Sequence, residues 1–421
     1  MKKIVRTKKV IKGVINLPAD KSISHRALIL GAIANGQTQI KNFSFNNSCR
    51  ATLNCLKDLG ADIKILSNKV VINGHDFLQP KKILNAQTSG TTLRLMLGLL
   101  AAQKFPSQIK CIGSLKKRPM NKLLEALRKM GAKITLCDGT FFIEPGQLSP
   151  IEYKMPVPSA QIKSAVILAS LFCNGMTKII ELIKSRNHTE TMINYFGGKI
   201  FCHANQILCI GRQSLTGKKI NLPADTSSAA FFIVLASIFP GAHIILRNVL
   251  VNPRRTGLIR VLQKMGAKIF INNQHEIYPG EDVADIEVCS SQLKSIQICG
   301  DIVIDMIDEF PAFIVAALFS KGTSIVKNAE QLKFKESDRI MTVAEEFNRL
   351  GAKIKPTSDG MIIEGGFDLN KNYEVFSHGD HRIAMSLAIF AIAANKELVI
   401  NDAQCVDDSF PGFFDYLDIF F

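Results

Sequence analysis

Apolar residues along the chain fall into two kinds of segment, and the two alternate. In the first kind, Leu, Ile and Met recur at helical spacing beside Lys, Arg and Glu. The run stops at a glycine before a short β-branched stretch. Five copies are legible: LNCLKDLGADI ending at Ile63, LEALRKMGAKI at Ile134, INYFGGKI at Ile200, IRVLQKMGAKI at Ile269 and AEEFNRLGAKI at Ile354. Their first glycines are Gly60, Gly131, Gly197, Gly266 and Gly351. Each copy predicts an amphipathic helix stopped by a C-terminal glycine, then a strand.

The second kind has a polar, Ser-rich start, an Ala/Leu-rich run, a Gly or Asn turn and a β-branched strand. Six copies begin at Ser22 (SISHRALILGAIANGQTQI), Ser89 (SGTTLRLMLGLLAA), Ser159 (SAQIKSAVILASLFCNGMTKI), Ser227 (SSAAFFIVLASIFPGAHIIL), Glu309 (EFPAFIVAALFSKGTSIV) and His381 (HRIAMSLAIFAIAANKELVI). These helices are apolar nearly all round, so they are expected to be buried, with the amphipathic helices covering them. The result is six units of roughly 70 residues, longer than the 20 to 50 residues of solenoid repeats. They divide into two groups of three. The pattern predicts an α/β protein of two similar globular lobes, each with internal three-fold pseudo-symmetry.

If that symmetry gathers the second kind of helix start at one end of a lobe, several helix N-termini converge there. Each brings about half a positive charge and N–H groups, which together make an anion site from backbone. Basic side chains sit at a fixed offset in three copies. Arg26 lies four residues after Ser22, Arg94 four after Gly90, and Lys163 four after Ser159. That spacing puts each base one turn in, on the cap's side of the helix. Hydroxyl, N–H and cation together suit a phosphate dianion. Any one of them alone would read as an ordinary cap beside a surface base; the recurrence within one repeat frame argues for the anion site.

Further charge clusters are short. Lys116-Lys117-Arg118-Pro119 precedes a helix start. Lys335-Glu336-Ser337-Asp338-Arg339 offers pairs at i, i+4 and i, i+3, which alone read as a solvated face. Asp308-Glu309-Phe310-Pro311 reads as a cap, and Ser377-His378-Gly379-Asp380-His381-Arg382 as a polar turn entering a buried helix.

Composition narrows the partners. The 421 residues include 52 Lys and Arg against 36 Asp and Glu, a formal charge of +16. Such an excess points to an anionic partner: nucleic acid, a membrane surface or a phosphorylated small molecule. The chain has no Trp and only 7% aromatic residues, which weakens the nucleic-acid reading, since single strands are gripped by stacking. With 47% hydrophobic residues it is not a disordered chain. None of the ten Cys forms a C-x-x-C pair or falls at zinc spacing with the eight His, so buried thiols in a reducing compartment are expected. The start MKKIVRTKKVIKG lacks the apolar stretch of a signal peptide. Arg94 and Pro240 interrupt the longest apolar runs well short of the roughly 20 residues that span a bilayer. A soluble cytoplasmic protein is expected.

Taken together, the motifs resemble one family. LPADKSISHRALILGAIANG, TSGTTLRL, KKRPMNKLLEALRKMGA, PVPSAQIKSA and SRNHTETM are similar to the N-terminal half of 5-enolpyruvylshikimate-3-phosphate synthases. DTSSAAFF, NPRRTGLIRVLQKMGA, IDEFP, KFKESDRI, SHGDHRIAMSLA and SFPGFF resemble the C-terminal half, in the same order. The resemblance runs from about residue 8 to 418, and ten or more collinear motifs make it specific. The TSGTTLRL and KRPM forms look like the second class of the family, which includes glyphosate-tolerant enzymes.

The resemblance implies an inside-out α/β barrel fold of two lobes, each made of three βαβαββ units. It places residues 18–223 in one lobe and 1–17 with 224–421 in the other, with the active site in the cleft between them. It implies transfer of the enolpyruvyl group of phosphoenolpyruvate to the 5-hydroxyl of shikimate 3-phosphate, with loss of phosphate. That activity belongs to the shikimate pathway toward chorismate and the aromatic amino acids. No metal or organic cofactor, no nucleic acid, no membrane and no partner chain are implied; the expectation is a monomer. Roles carry over as follows. Lys21, Ser22, Arg26, Ser159, Gln161, Ser185, Arg186, Asp308 and Lys335 match contacts to shikimate 3-phosphate. Lys21, Gly90, Arg118, Gln161, Arg339 and Arg382 match contacts to phosphoenolpyruvate. Asp308 is the implied base, Glu336 the group for proton transfer at the methylene carbon, and Lys21 a third participant.

These residue types suit the chemistry. Each substrate carries a carboxylate and a phosphate, and such anions call for guanidinium forks and ammonium groups. Addition to an enol ether needs an acid at C3 and a base at the hydroxyl. Some positions depart from the family pattern: Asn46-Asn47 replace a common acidic pair, Thr88 stands where Asn usually opens the glycine loop, and Asp408 replaces Lys or Thr. A sister family that loads enolpyruvate onto UDP-N-acetylglucosamine uses a mobile-loop Cys and a KNAAL-type start, where this chain has KSISHR and RPM. A basic nucleic-acid binder would leave Asp308 and Glu336 unexplained; the departures bear on affinity and herbicide response rather than on the core constellation, and an inactive homologue is the minor alternative they raise. Only about eight basic residues belong to the expected site; most of the surplus charge is expected on a Lys-rich surface.

Overall fold

The computed structural model describes residues 1–6, 8, 10–67, 69–368 and 374–420. Among them are six small sheets, five of four strands and one of three. The chain divides into two compact units. The first comprises Met1–Pro18, Pro223–Glu276 and Asp282–Phe421; the second comprises Ala19–Leu222 and Ile277–Glu281.

One repeat shows the plan. Strand Leu84–Asn85 leads into the apolar helix Gly90–Leu100, which is followed by strand Ser107–Lys110, helix Asn121–Lys129 and strands Lys133–Cys137 and Thr140–Glu144. The leading strand runs parallel to Ser107–Lys110, and the other two pairings are antiparallel. The same βαβαββ order recurs from Glu152 to Ile210. In the second unit's first repeat, the leading place is taken by Lys219–Asn221, which pairs in parallel with Gly36–Lys41. The end of that unit's chain therefore closes on its beginning. In the first unit Lys12–Ile15 leads, parallel to His243–Leu250. The sixth repeat departs from the plan. Glu374–Phe376 runs parallel to Leu398–Asn401, and Lys3–Val5 takes the antiparallel place on the other side.

The glycine signal has a direct backbone cause. Gly60, Gly131, Gly197, Gly266 and Gly351 have φ of 88°, 103°, 88°, 98° and 95°. A side chain is strained there, so these positions end each amphipathic helix and turn the chain into a strand. The second helix family is buried as its pattern requires. In Thr226–Ile238 every residue from Thr226 to Ser237 is buried, and in Phe310–Leu318 all nine are. Packing is close enough for backbone to matter: a Cβ on Gly98 would lie 2.3 Å from the Ala165 carbonyl oxygen of the neighbouring helix Ala160–Ser170.

All ten cysteines are thiols. Cys49, Cys55, Cys111, Cys173 and Cys209 are buried as expected, whereas Cys137 and Cys202, on strands, and Cys299, just after one, are exposed. Among the described residues no helix is long and apolar enough to cross a membrane.

Candidate active site

In the second unit the three apolar helices do bring their starts together, but their caps differ from the expectation. The first helix, Lys21–Ile33, is capped by Asp20 rather than Ser22: Asp20 Oδ1 accepts the Ile23 N–H at 2.8 Å. Ser89 and Ser159 cap the other two, accepting from Thr92 at 3.2 Å and Ile162 at 3.4 Å. In the first unit Asp225 and Asp380 take the same role, accepting from Ser227 at 2.7 Å and Arg382 at 3.0 Å. An aspartate cap supplies its own negative charge to the helix end. At those three starts the backbone alone is therefore not the anion site.

The three bases at the fixed offset also separate. Arg26 is 5% exposed. Its Nε donates to Thr189 Oγ1 at 2.7 Å, Nη1 to the Ser22 carbonyl at 2.9 Å and Nη2 to Ser164 Oγ at 2.7 Å. Burial pushes its pKa down to about 10, against the pull of Glu190 and Asp20. Lys163 is 1% exposed and lies 2.9 Å from Glu181 Oε2 and 2.8 Å from Glu190 Oε1. Burial would lower its pKa, but the two carboxylates outweigh that and raise it. The sequence reading of Lys163 as a phosphate cation is corrected here, because its charge is spent on two buried carboxylates. Arg94 alone of the three is partly exposed. It donates to Gln161 Oε1 at 2.6 Å, and Gln161 donates in turn to Thr91 Oγ1 at 2.9 Å.

Around that link lie Gly90 and Arg118. A Cβ on Gly90 would come 2.6 Å from Arg94 Nη1 and 3.2 Å from Arg118 Nη1, so glycine lets two guanidinium groups approach the helix start. Lys21, Ser22, Ser159, Gln161 and Arg118 are all partly exposed there. Ser185 is buried; its N–H, at 2.9 Å, and its hydroxyl both donate to Glu181 Oε1. Arg186 beside it is partly exposed. Beneath the starts, His25 Nδ1 lies 2.7 Å from Thr52 Oγ1, Thr52 lies 2.8 Å from Thr92 Oγ1, and Thr92 donates to Ser89 Oγ at 2.8 Å. Burial, then Lys21 and Arg26, hold the His25 pKa well below its usual value, so it is a neutral link.

In the first unit, Asp308 gathers the predicted residues. Lys335 Nζ donates to its Oδ1 at 3.3 Å, Arg339 Nη1 lies 3.7 Å away, and Arg382 Nη2 lies 4.0 Å from Oδ2. Arg339 is 1% exposed and grips Asp380 with two bonds, Nε to Oδ2 at 2.8 Å and Nη2 to Oδ1 at 3.2 Å. Its Nη2 also donates to Glu336 Oε2 at 2.7 Å. Burial works against the Arg339 charge, but Asp380, Glu336 and Asp308 more than offset it and raise its pKa. Sequence reasoning missed Asp380 as a partner of this set. The signal was an Asp directly before an apolar run, which is a cap pattern.

The departures have local accounts. Asn46 caps the helix Asn47–Asp58, with Oδ1 accepting from Cys49 at 2.9 Å, a task an amide does as well as a carboxylate. The methyl of Thr88 packs beside Gly113. Asp408 ends the turn Ala403–Asp408, where burial, then Asp408 and Asp415, raises the pKa of Asp407.

Six small sheets in two α/β units, each unit built from βαβαββ repeats, make the enolpyruvyl transferase class of fold. The enolpyruvyl transferase NikO from Streptomyces tendae superposes with a TM-score of 0.79 at 13% identity, covering 99% of this chain and 96% of that one; the likeness is one of fold. The family described as EPSP synthase (3-phosphoshikimate 1-carboxyvinyltransferase) matches residues 5–417. A 3-phosphoshikimate 1-carboxyvinyltransferase of Thermoanaerobacter sp. (strain X514) is 45% identical over 420 residues, 99% of both chains. The solved EPSP synthase of Acinetobacter baumannii has a TM-score of 0.86 at 38% identity, covering 99% of this chain and 97% of that one. The chain belongs to the EPSP synthase family.

Proposed function

We propose that the chain transfers the carboxyvinyl group of phosphoenolpyruvate to the 5-hydroxyl of shikimate 3-phosphate and releases phosphate, in the shikimate pathway. Beyond the family match, the carrying observation is the set around Asp308, where Lys335, Arg339 and Arg382 stand within 4.0 Å of one carboxylate and Glu336 is tied to the same arginine.

The reaction divides among these groups. Glu336, in its protonated form, delivers a proton to C3 of phosphoenolpyruvate, which leaves positive character at C2. The 5-hydroxyl oxygen attacks C2 as Asp308 takes its proton, giving a tetrahedral ketal phosphate. Glu336, now a carboxylate, takes a proton back from C3, and cleavage of the C2–O bond to the phosphate restores the double bond and expels phosphate. Lys21 assists proton transfer and pairs with substrate anions. General acid–base groups of this kind contribute roughly 10² to 10⁴ in rate.

Arg118, Gly90, Arg339, Arg382 and Gln161 take phosphoenolpyruvate. Ser22, Arg26, Ser159, Ser185, Arg186 and Lys335 serve shikimate 3-phosphate, with Arg26 and Ser185 acting largely from beneath, since their donors are already held by protein oxygens. The proposed working form is a monomer; a reducing, cytoplasmic setting is supported by the ten thiols. The test is phosphate release from purified protein. Release that requires both substrates supports the reading; release with phosphoenolpyruvate alone, or none with both, overturns it.

A further inference from the structure

The segment from Ser185 to Glu190 is held by buried polar groups at nearly every position. Glu181 Oε1 takes both the N–H and the hydroxyl of Ser185. Both donors of Ser185 thus face one carboxylate oxygen, which ties the turn to Glu181. Lys163 Nζ donates to Glu181 Oε2 at 2.9 Å and reaches the Ser185 carbonyl at 3.4 Å. The same ammonium pairs with Glu190 Oε1 at 2.8 Å, one turn into the helix His188–Tyr195. His188 Nδ1 lies 2.7 Å from Glu281 Oε1, and Thr189 accepts from Arg26. Arg186 stands among these inward-turned side chains and remains partly exposed.

Lys163, Glu181 and Glu190 are each under 4% exposed as residues. Replacing a buried ion set by apolar side chains is often neutral or stabilising, so stability alone gives little reason for three charges here. Their geometry gives another reason. The triad grips the turn at its N-terminal side through Glu181, at its carbonyl through Lys163 and at the following helix through Glu190. A loop fixed at three points holds the guanidinium between them in one place, which a long, flexible side chain needs in order to bind an anion tightly.

We infer that the Glu181–Lys163–Glu190 triad is a positioning device for Arg186: it touches no substrate, and it fixes the Ser185–Arg186 turn so that the Arg186 guanidinium meets the anionic groups of shikimate 3-phosphate. The inference rests on the assignment of Arg186 to that substrate. Ser185 is the point at which Glu181 holds the turn.

The test is steady-state kinetics of the full chain with Arg186→Ala, Glu181→Ala and the double variant, alongside thermal melts. Arg186→Ala is expected to raise KM for shikimate 3-phosphate about tenfold or more, the usual scale for a charged hydrogen bond. Glu181→Ala is expected to raise the same constant in the same range. Because one acts through the other, the double variant is expected to stay within about twofold of the larger single effect. In the Glu181 variants, which alter no substrate contact, kcat and KM for phosphoenolpyruvate should stay within about threefold. If Glu181→Ala does not fold, Glu181→Gln is read in its place, since the amide keeps an acceptor for Ser185 but loses the ion pair with Lys163. An unchanged KM in Arg186→Ala overturns the assignment of Arg186 to the substrate. A raised KM in Arg186→Ala with none in the Glu181 variant, effects that multiply in the double, or equal changes for both substrates overturn the positioning role.

Discussion

In the second unit Lys21, Arg26, Arg94, Arg118, Lys163 and Arg186 stand with Asp20, Glu181 and Glu190. In the first unit Lys335, Arg339 and Arg382 stand with Asp308, Glu336 and Asp380. The first set carries more cations than carboxylates; the second is matched charge for charge. A surplus of guanidinium groups at helix starts favours anions and sets affinity. A matched set gains less from an added anion, but it holds carboxylates in fixed positions, as proton transfer requires. Under the proposed assignment, what separates the two sets is the count of acids placed beside their bases: it leaves a surplus of cations in one and fixed carboxylates in the other.

The strongest way to break that contrast is Asp308→Ala. It should lower kcat by roughly 10³, within the range for a lost general base, as read from phosphate release at saturating substrates. Next is Arg339→Ala, which would leave the fully buried Asp380 without its two-bond partner. Stranding a buried charge costs about 3–5 kcal/mol, so urea unfolding should show a large loss of stability. Arg118→Ala should lose much less in the same experiment, since Arg118 is partly exposed and exposed charge pairs contribute little. Equal losses in the two variants would dissolve the distinction between a surplus and a matched set.

Gly90→Ala sharpens the picture of the second unit. Its new methyl would meet Arg94 Nη1 at 2.6 Å and Arg118 Nη1 at 3.2 Å. The guanidinium groups must give way, and KM for phosphoenolpyruvate should rise about tenfold, the equivalent of about 1.4 kcal/mol. The smallest expected effect is that of Asn46→Ala, about 1 kcal/mol of unfolding free energy from a lost cap, with KM for both substrates unchanged.

Much of the fold was legible because it is written in local rules. A glycine at positive φ after an amphipathic helix has one meaning wherever it occurs, and Gly60 and Gly351 obey it alike. The apolar helices declared their burial through composition alone. The sixth repeat was less legible, because its antiparallel place is filled by Lys3–Val5, from the far end of the chain. The family motifs named Asp308, Lys335, Glu336 and Arg339 as functional, and the structure gathers them around two carboxylates. Spacing alone failed at Lys163. It fixed the helical face but not the depth, and Glu181 and Glu190, which neutralise that lysine, arrive from 18 and 27 positions further along. Asp20 was missed as a cap for a milder reason: two serines follow it, and any of the three could have accepted the first N–H groups.

The central claim of the proposal is that the second unit's surplus cations act chiefly on affinity, while Asp308 and Glu336 of the first unit, held by their cations, move the protons. Phosphate release measured against phosphoenolpyruvate concentration, with shikimate 3-phosphate saturating, tests it in two variants at once. The account predicts that Arg118→Ala reaches a plateau within about threefold of the parent at a much higher phosphoenolpyruvate concentration, while Asp308→Ala stays roughly 10³ lower at every concentration. A low plateau in Arg118→Ala, or a parental plateau in Asp308→Ala, would contradict it.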